Sequence, residues 1–176
     1  VTDKLGVVDH PICFKIIRLL FKGIVFFIGQ VKISVRGEID PETRIFISNH
    51  ITFNDPYYMI IRKAMAPIAK AELQSNPFAG PIVRSSRALF VDRSKGNGLT
   101  EVIKQRAADH SDYPLYIFPE GTLTNGQTLL KFHCGAFVTE EKVQPLAIRL
   151  LDPFVPRGWN TAAWTQKSFL SHLFCL

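Results

Sequence analysis

The sequence predicts a single α/β domain in which helices flank a mixed, largely parallel sheet. Short apolar runs alternate with helical patterns from residue 31 onward, which is typical of that fold class. The chain has 176 residues, the size of one domain with one hydrophobic core. Two polar clusters also follow directly after apolar runs, and the carboxyl ends of strands are where sites collect in α/β folds.

The first element is an apolar stretch at residues 11–30 that is interrupted by cations. Lys15, Arg18 and Lys22 recur at spacings of three and four residues, which places them on one face of a helix. The uncharged run after Lys22 is far shorter than the ~20 apolar residues needed to span a bilayer. We therefore predict that residues 1–30 form an amphipathic helix at a membrane interface, with an ordinary core-packing helix as the alternative.

Six short segments have the apolar, β-branched or aromatic composition of strands. Gly37 closes the first of them. Pro145, near the start of the last, indicates a strand at the sheet edge, because proline lacks the N–H that a central strand donates. The predicted strands are residues 31–36, 44–48, 67–70, 88–91, 115–118 and 143–151.

Two helices are predicted between the strands. Asp55 followed by Pro56 has the form of an N-cap with proline at the first helical position, so a helix is expected from there to about Met65. Residues 100–108 form the second helix. Prolines and a glycine break any helix within residues 72–86.

The composition favours an anionic, lipid-like partner. Lys plus Arg number 21 and Asp plus Glu number 15, which gives a net charge of +6. Fourteen phenylalanines favour lipid over nucleic acid, whose binding domains usually carry denser basic runs. The three cysteines lie far apart, which argues against a disulfide framework or a zinc ribbon and for a reducing compartment. Because the chain starts at Val1 and stops within an apolar stretch, we expect both ends to be cut from a longer protein.

The most informative segment runs from Ser48 to Asp55 and holds a histidine and a carboxylate. Asp55 can accept a hydrogen bond from one ring nitrogen of His50, which leaves the other nitrogen free as a base. This is the histidine–aspartate half of a hydrolase triad, but the chain contains no G-x-S-x-G nucleophile motif. A base without a protein nucleophile indicates that the substrate supplies the attacking hydroxyl. The alternative is that the two residues only form a polar turn.

The second segment begins at Glu120, directly after an apolar run. Gly121 lets backbone N–H groups converge on an anion, and Thr122 adds a side-chain donor. Arg93, at the end of another predicted strand, can supply a forked cation for a phosphate. The alternatives are that Gly121 only makes a turn and that Glu120 caps a nearby helix. A further alternative pairs Arg93 with Asp92 or with Glu120.

These motifs together resemble those of the glycerolipid acyltransferase superfamily, which acylates glycerol phosphates and lysophospholipids from acyl-CoA. Four family blocks occur in order within residues 31–150: H-x-x-x-x-D at His50 and Asp55, and three others at 90–93, 118–122 and 143–146. The Thr-Asn after E-G-T and the L-x-F-x-x-G-A-F pattern at 130–137 are similar to lysophosphatidylcholine and related lysophospholipid acyltransferases.

The resemblance implies an acyl-CoA:lysophospholipid O-acyltransferase, with residues 31–176 as its acyltransferase domain. The resemblance implies that His50 deprotonates the acceptor hydroxyl and that Asp55 orients His50. It implies acyl-CoA as co-substrate, no cofactor, no metal and no nucleic acid. It also implies a membrane partner, at the endoplasmic reticulum or a lipid droplet, with the site reached from the cytosol. The residues that would bind the acceptor glycerophosphate are Arg93, Glu120, Gly121 and Thr122.

Two other interpretations stay open. One is a catalytically weak relative that serves as a membrane or lipid-droplet scaffold, and the other is a hydrolase of acyl-CoA or lipid. The chain also departs from the family at Arg87, where many relatives have glycine, and this residue is expected to reshape the acceptor pocket.

Overall fold

The computed structural model describes residues 12, 15–16, 18–20, 22–23, 34–77, 80, 83–84, 86–92, 98–109 and 113–149. Short strands and helices alternate through this part of the chain. In order, they are β1 (Ile45–Ser48), α1 (Asp55–Arg62), β2 (Ala66–Lys70), β3 (Leu89–Val91), α2 (Gly98–Ala108), β4 (Leu115–Ile117) and β5 (Val143–Leu146). The 3-10 helices Ala71–Ser75 and Cys134–Phe137 lie in the connections.

The five strands of the described residues form one sheet in the order β3-β2-β4-β1-β5, and every neighbouring pair is parallel. In β1, Ile45 lies level with Leu115 on one side and with Val143 on the other. All of β1 is buried, as expected for a parallel strand covered on both faces. The predicted α/β fold with a largely parallel sheet is confirmed. β5 pairs only with β1, which confirms the edge position predicted from Pro145.

Successive residues of a strand point to opposite faces of the sheet, and helices cover both faces. On one face Ile45 belongs to a buried cluster with Ile103 of α2. On the other face Phe46 and Tyr116 cluster with Met59 of α1. Full burial of such side chains contributes ~1.5–3 kcal/mol each. Because both faces are occupied, the carboxyl ends of the strands are the place where a ligand can approach.

Most predicted elements are present, with small changes in their bounds. The strands predicted at 44–48, 67–70, 88–91 and 115–118 are all found, each to within one residue at either end. The helix predicted at 100–108 begins slightly earlier, at Gly98. Patterns of continuous apolar residues therefore located the interior of the sheet correctly.

Two strand predictions are wrong in part. Residues 34–36, the described part of the strand predicted at 31–36, are not in a strand. Val35 is 50% exposed and pairs with no described strand, and Gly37 then turns the chain with φ of +81°. A period-two pattern does not make a strand where no neighbour supplies hydrogen bonds. The last strand ends at Leu146 rather than near residue 151.

Helix α1 differs from the prediction at both ends. Asn54, not Asp55, occupies the N-cap position, because the Asp55 carboxylate is turned back onto the preceding loop. At the other end Lys63 is extended, with φ −144° and ψ 143°. Met65 is 1% exposed and lies in the core just before β2. The helix therefore ends before Met65, since the chain must straighten there to enter the sheet.

The described residues between 12 and 23 are helical. Ile12, Ile16, Leu19 and Leu20 are all exposed, so these apolar side chains do not pack into a core. Across the part of the chain that the structure describes, every helix is too short or too polar to cross a bilayer. The interfacial role of residues 1–30, and the boundaries of the domain at 31–176, stay predictions because much of these ranges lies outside the described residues.

Candidate active site

The loop after β1 brings a histidine and an aspartate together. His50 follows the end of β1, and Asp55 is the first residue of α1. Nδ1 of His50 lies 2.9 Å from Oδ2 of Asp55, so the predicted hydrogen bond is present. The same carboxylate oxygen accepts from the backbone N–H groups of Ile51 (2.7 Å) and Thr52 (3.0 Å). A single carboxylate thus fixes both the turn and the imidazole ring that the turn carries.

The electrostatics of this pair suit a base. The Asp55 side chain is 0% exposed, whereas the His50 side chain is 17% exposed. Burial raises the pKa of the Asp55 carboxyl, and the hydrogen bonds that it accepts from His50, Thr52 and Ile51 oppose that shift. An ionised carboxylate can only accept, so Nδ1 of His50 then carries the proton and Nε2 keeps a free lone pair. The partial exposure of His50 leaves the ring within reach of a substrate.

Phe118 stacks on the imidazole of His50, with ring centroids 3.7 Å apart and planes 13° apart. Tyr116 meets Phe118 edge-on at 4.7 Å. The Tyr116 hydroxyl in turn lies 2.5 Å from Oγ of Ser48, which is buried. The imidazole is therefore held on one face by Phe118 and at Nδ1 by Asp55. The sequence-based prediction of the site missed Phe118, although this residue directly follows β4, the neighbour of β1.

The second predicted segment forms a tight turn at the end of β4. The N–H of Gly121 donates to the carbonyl of Phe118 at 3.0 Å, and Gly121 has a φ of +70° that a side chain would disfavour. Glu120 is 4% exposed, and its Oε2 accepts from the N–H of Leu130 at 3.1 Å. The Glu120 carboxylate thus ties down the loop that follows, rather than capping a helix. Thr122 is exposed at the surface of this turn.

A backbone hydrogen bond joins the loop after β1 to the loop after β4. The backbone N–H of Thr124 donates to the carbonyl oxygen of His50 at 2.9 Å. Farther along the loop, the N–H of His133 donates to the carbonyl of Pro119 at 2.9 Å. The loop after β4 is therefore tied to the backbone of His50 through Thr124 and closed on itself between Pro119 and His133. This places His50, Asp55 and Glu120 at one edge of the sheet, as the sequence predicts.

The structure describes one of the two predicted arginine positions. Arg93 lies outside the described residues, so its place in the site stays a prediction. Arg87 precedes β3, at the amino edge of the parallel sheet and opposite the edge that carries His50. Its guanidinium lies over the ring of Tyr113 at 4.2 Å, and its φ is +55°. The structure thus places the guanidinium of Arg87 on Tyr113, and the expectation that Arg87 reshapes an acceptor pocket stays a prediction.

The described residues form an α/β domain with a parallel sheet and a histidine–aspartate pair at its carboxyl edge. Comparison with known proteins shows the family to which this domain belongs. A family model described as Acyltransferase matches residues 32–149. The chain is 31% identical over 165 residues to lysophospholipid acyltransferase LPCAT4 of Xenopus tropicalis, covering 90% of this chain and 31% of that protein. It is 34% identical over 151 residues to lyso-ornithine lipid O-acyltransferase of Pseudomonas aeruginosa, covering 81% and 56%. The chain belongs to the acyltransferase family, within the glycerolipid acyltransferase superfamily.

Two further comparisons agree with this family. Lysophospholipid acyltransferase LPEAT2 of Arabidopsis thaliana is 30% identical over 169 residues, covering 90% of this chain and 30% of that protein. The crystal structure of the 1-acyl-sn-glycerophosphate acyltransferase PlsC from Thermotoga maritima matches with a TM-score of 0.55 and 22% identity. That match covers 72% of this chain and 52% of the solved chain, and it shows a shared fold. The chain spans about a third of the length of LPCAT4 and LPEAT2.

Proposed function

We propose that this chain is the catalytic domain of a lysophospholipid acyltransferase that moves an acyl group from acyl-CoA to the free hydroxyl of a lysophospholipid. The observation that carries the proposal is the hydrogen bond between His50 and Asp55 beside the loop that begins at Glu120. Ser48, the serine nearest to His50 in the sequence, is buried, and its hydroxyl is bonded to Tyr116 and to the carbonyl of Asn49. It is therefore not available as a nucleophile, which supports a hydroxyl supplied by the substrate.

The proposed reaction uses the imidazole first as a base and then as an acid. Nε2 of His50 takes the proton of the lysophospholipid hydroxyl while the oxygen attacks the thioester carbonyl. A carbon–oxygen bond forms, the carbon–sulfur bond breaks, and the departing thiolate takes the proton back from the imidazolium. Asp55 keeps Nδ1 protonated and stabilises the imidazolium. General-base catalysis of this kind contributes ~10²–10⁴-fold to a rate.

The acceptor contacts are part of the same proposal. Arg93 pairs with the glycerophosphate, and the exposed Thr122 donates a hydrogen bond to it. The backbone of the left-handed turn at Gly121, at the end of the strand, forms part of the proposed acceptor site. Glu120 positions this turn through its bond to Leu130.

The decisive test measures thiol release from acyl-CoA with and without lysolipids of different headgroups, with the lipid product read by mass. We expect CoA release to require an acceptor and to match the formation of diacyl product. Release without any acceptor would instead indicate the hydrolase, in which water replaces the alcohol. No release with any acceptor would indicate the scaffold relative. Either of these results would contradict the proposed function.

We also propose that the protein acts at the membrane of the endoplasmic reticulum or at a lipid droplet, with its active site reached from the cytosol. The loop anchored by Glu120 exposes Leu129 (71%), Leu130 (39%) and Phe132 (39%), with the cation Lys131 among them. Apolar side chains around a lysine suit the boundary between acyl chains and anionic headgroups. A lipid substrate entering from a bilayer would then meet the site at this edge.

Replacing Leu129 with aspartate is expected to lower binding to anionic phospholipid vesicles by ~10-fold or more, since full burial of a leucine is worth ~1.5–3 kcal/mol. The measurement is vesicle co-sedimentation. Val102→Asp makes the same charge change at a 36% exposed position on α2 and is the matched control. Equal vesicle binding by the two variants would show that this loop does not contact the membrane.

A further inference from the structure

The amide of Asn49 bridges the loop after β1 to the chain that leaves β5. Its Nδ2 donates to the carbonyl of Ile148 at 2.9 Å, and its Oδ1 accepts from the N–H of Ile148 at 2.8 Å. Both backbone groups of one residue are thus bound by a single side chain 99 positions away in sequence. Nothing in the sequence pattern singles out this pairing, because Ile148 becomes a neighbour only through the sheet.

The position of this bridge explains where β1 ends. The register of the β1–β5 pair runs from Ile45 opposite Val143 to Ser48 opposite Leu146. If the hydrogen bonds between β1 and β5 continued past Ser48, the backbone of Asn49 and His50 would extend β1 alongside β5. The Asn49 side chain instead takes the hydrogen-bonding groups of Ile148. The backbone of His50 is thereby released from the sheet, and its carbonyl accepts from Thr124.

We infer that Asn49 is a positioning residue for the base: by replacing the strand ladder with its own amide, it fixes the point at which His50 leaves the sheet. This inference rests on the proposed function. Asn49 touches no reacting atom, so its effect passes through the backbone to the ring of His50. Removal of the amide leaves His50 held by Thr124, Asp55 and the ring of Phe118, without its tie to the chain that leaves β5. A displacement of about 1 Å in a catalytic group can cost ~10²-fold in rate.

The chain contains a matched control in Gln144 of β5. Its side-chain amide also makes two hydrogen bonds to the backbone: it accepts from the N–H of Asp40 at 3.0 Å and donates to the carbonyl of Glu38 at 2.8 Å. Gln144 lies level with Phe46, four positions before His50, which is ~13 Å along a strand. Loss of either amide removes the same kind of bond pair, but only one pair adjoins the base.

The experiment compares Asn49→Ala with Gln144→Ala, measuring the melting temperature and then kcat and the lysolipid KM separately. We expect both variants to lose similar stability. We expect Asn49→Ala alone to lose ~10–100-fold in kcat with its KM within about twofold of the wild type. Equal kcat in the two variants, or a loss confined to KM, would overturn the inference. If Asn49→Ala does not fold, the pair Asn49→Asp and Gln144→Glu is compared on the same criteria, since Asn49→Asp keeps the acceptor for Ile148 and loses the donor.

A second readout separates this inference from the proposed function. Nitrogen-15 NMR of the histidine rings reports the tautomer of His50, whose signal is assigned by its loss in His50→Ala. We expect one tautomer, protonated at Nδ1, in the wild type and in Gln144→Ala, and a mixture in Asn49→Ala. An unchanged tautomer in Asn49→Ala overturns the inference, and this holds even if the wild type transfers no acyl group to any acceptor.

Discussion

Replacing His50 with alanine is expected to lower acyl transfer by ~10²–10⁴-fold, the usual worth of a general base. The protein should remain folded, because the backbone bond from Thr124 to residue 50 does not need the ring. The main packing loss is the stack on Phe118, at the partly exposed site. The measurement is turnover of acyl-CoA with a lysolipid acceptor, together with the melting temperature.

His133→Ala is the matched control for this experiment. His133 is exposed on the loop after β4, and its contact with Pro119 is made by the backbone N–H, which alanine keeps. We expect wild-type turnover from this variant. A folded His50→Ala protein that keeps most of its turnover would exclude His50 as the base.

Replacing Asp55 with asparagine is expected to cost as much as ~10⁴-fold in kcat, the size of the corresponding change in a serine protease triad. Asparagine has nearly the same shape, but one oxygen, Oδ2 of Asp55, accepts from the N–H groups of Ile51 and Thr52 and from Nδ1 of His50. If the amide NH2 group takes the place of that oxygen, it donates to Nδ1 of His50, which leaves the proton on Nε2 and removes the basic lone pair, and the two backbone bonds are lost. If the amide oxygen takes that place, the bonds remain but the negative charge that stabilises the imidazolium is lost. The check is kcat at saturating substrate, with a tautomer measured by NMR. Turnover close to that of the wild type would mean that Asp55 does not set the state of His50.

The same variant has a distinctive effect on stability. Burial raises the pKa of the Asp55 carboxyl above its ordinary value of 3.8. As pH rises from 3.8 towards the folded-state pKa, the unfolded chain releases this proton first, so the free energy of unfolding of the wild type falls. Asparagine does not titrate. We therefore expect Asp55→Asn to gain stability relative to the wild type as pH rises above about 4, measured by denaturant unfolding at several pH values. A relative stability that declines over that range would contradict the raised pKa.

The sequence predicts those parts of the fold that depend on local pattern. The apolar runs located β1, β2, β3 and β4, four of the five described strands, and the His50–Asp55 spacing located a hydrogen bond between residues five positions apart. It did not locate contacts that depend on which strands become neighbours. The stack of Phe118 on His50 and the bond from Thr124 to the carbonyl of His50 require β4 to lie beside β1, and no local pattern encodes strand order.

The errors have a similar cause. The apolar alternation that includes Val35 is a good strand pattern, but no described strand lies beside it, so the residue is exposed. Met65 fits the periodicity of a helix, but the core requires it at the entrance to β2. In each case a long-range constraint overrode a local preference.

The strand order has a consequence for the nascent chain during synthesis. β1 is the earliest of the five strands of the described sheet to leave the ribosome, yet its only neighbours are β4 and β5, the last two. At synthesis rates of ~5–20 residues per second, β1 waits for some seconds before either partner exists. During that time a largely apolar segment with two open edges can pair with other chains. The strand that leads into His50 is therefore also the described strand that stays unpaired for the longest time during synthesis.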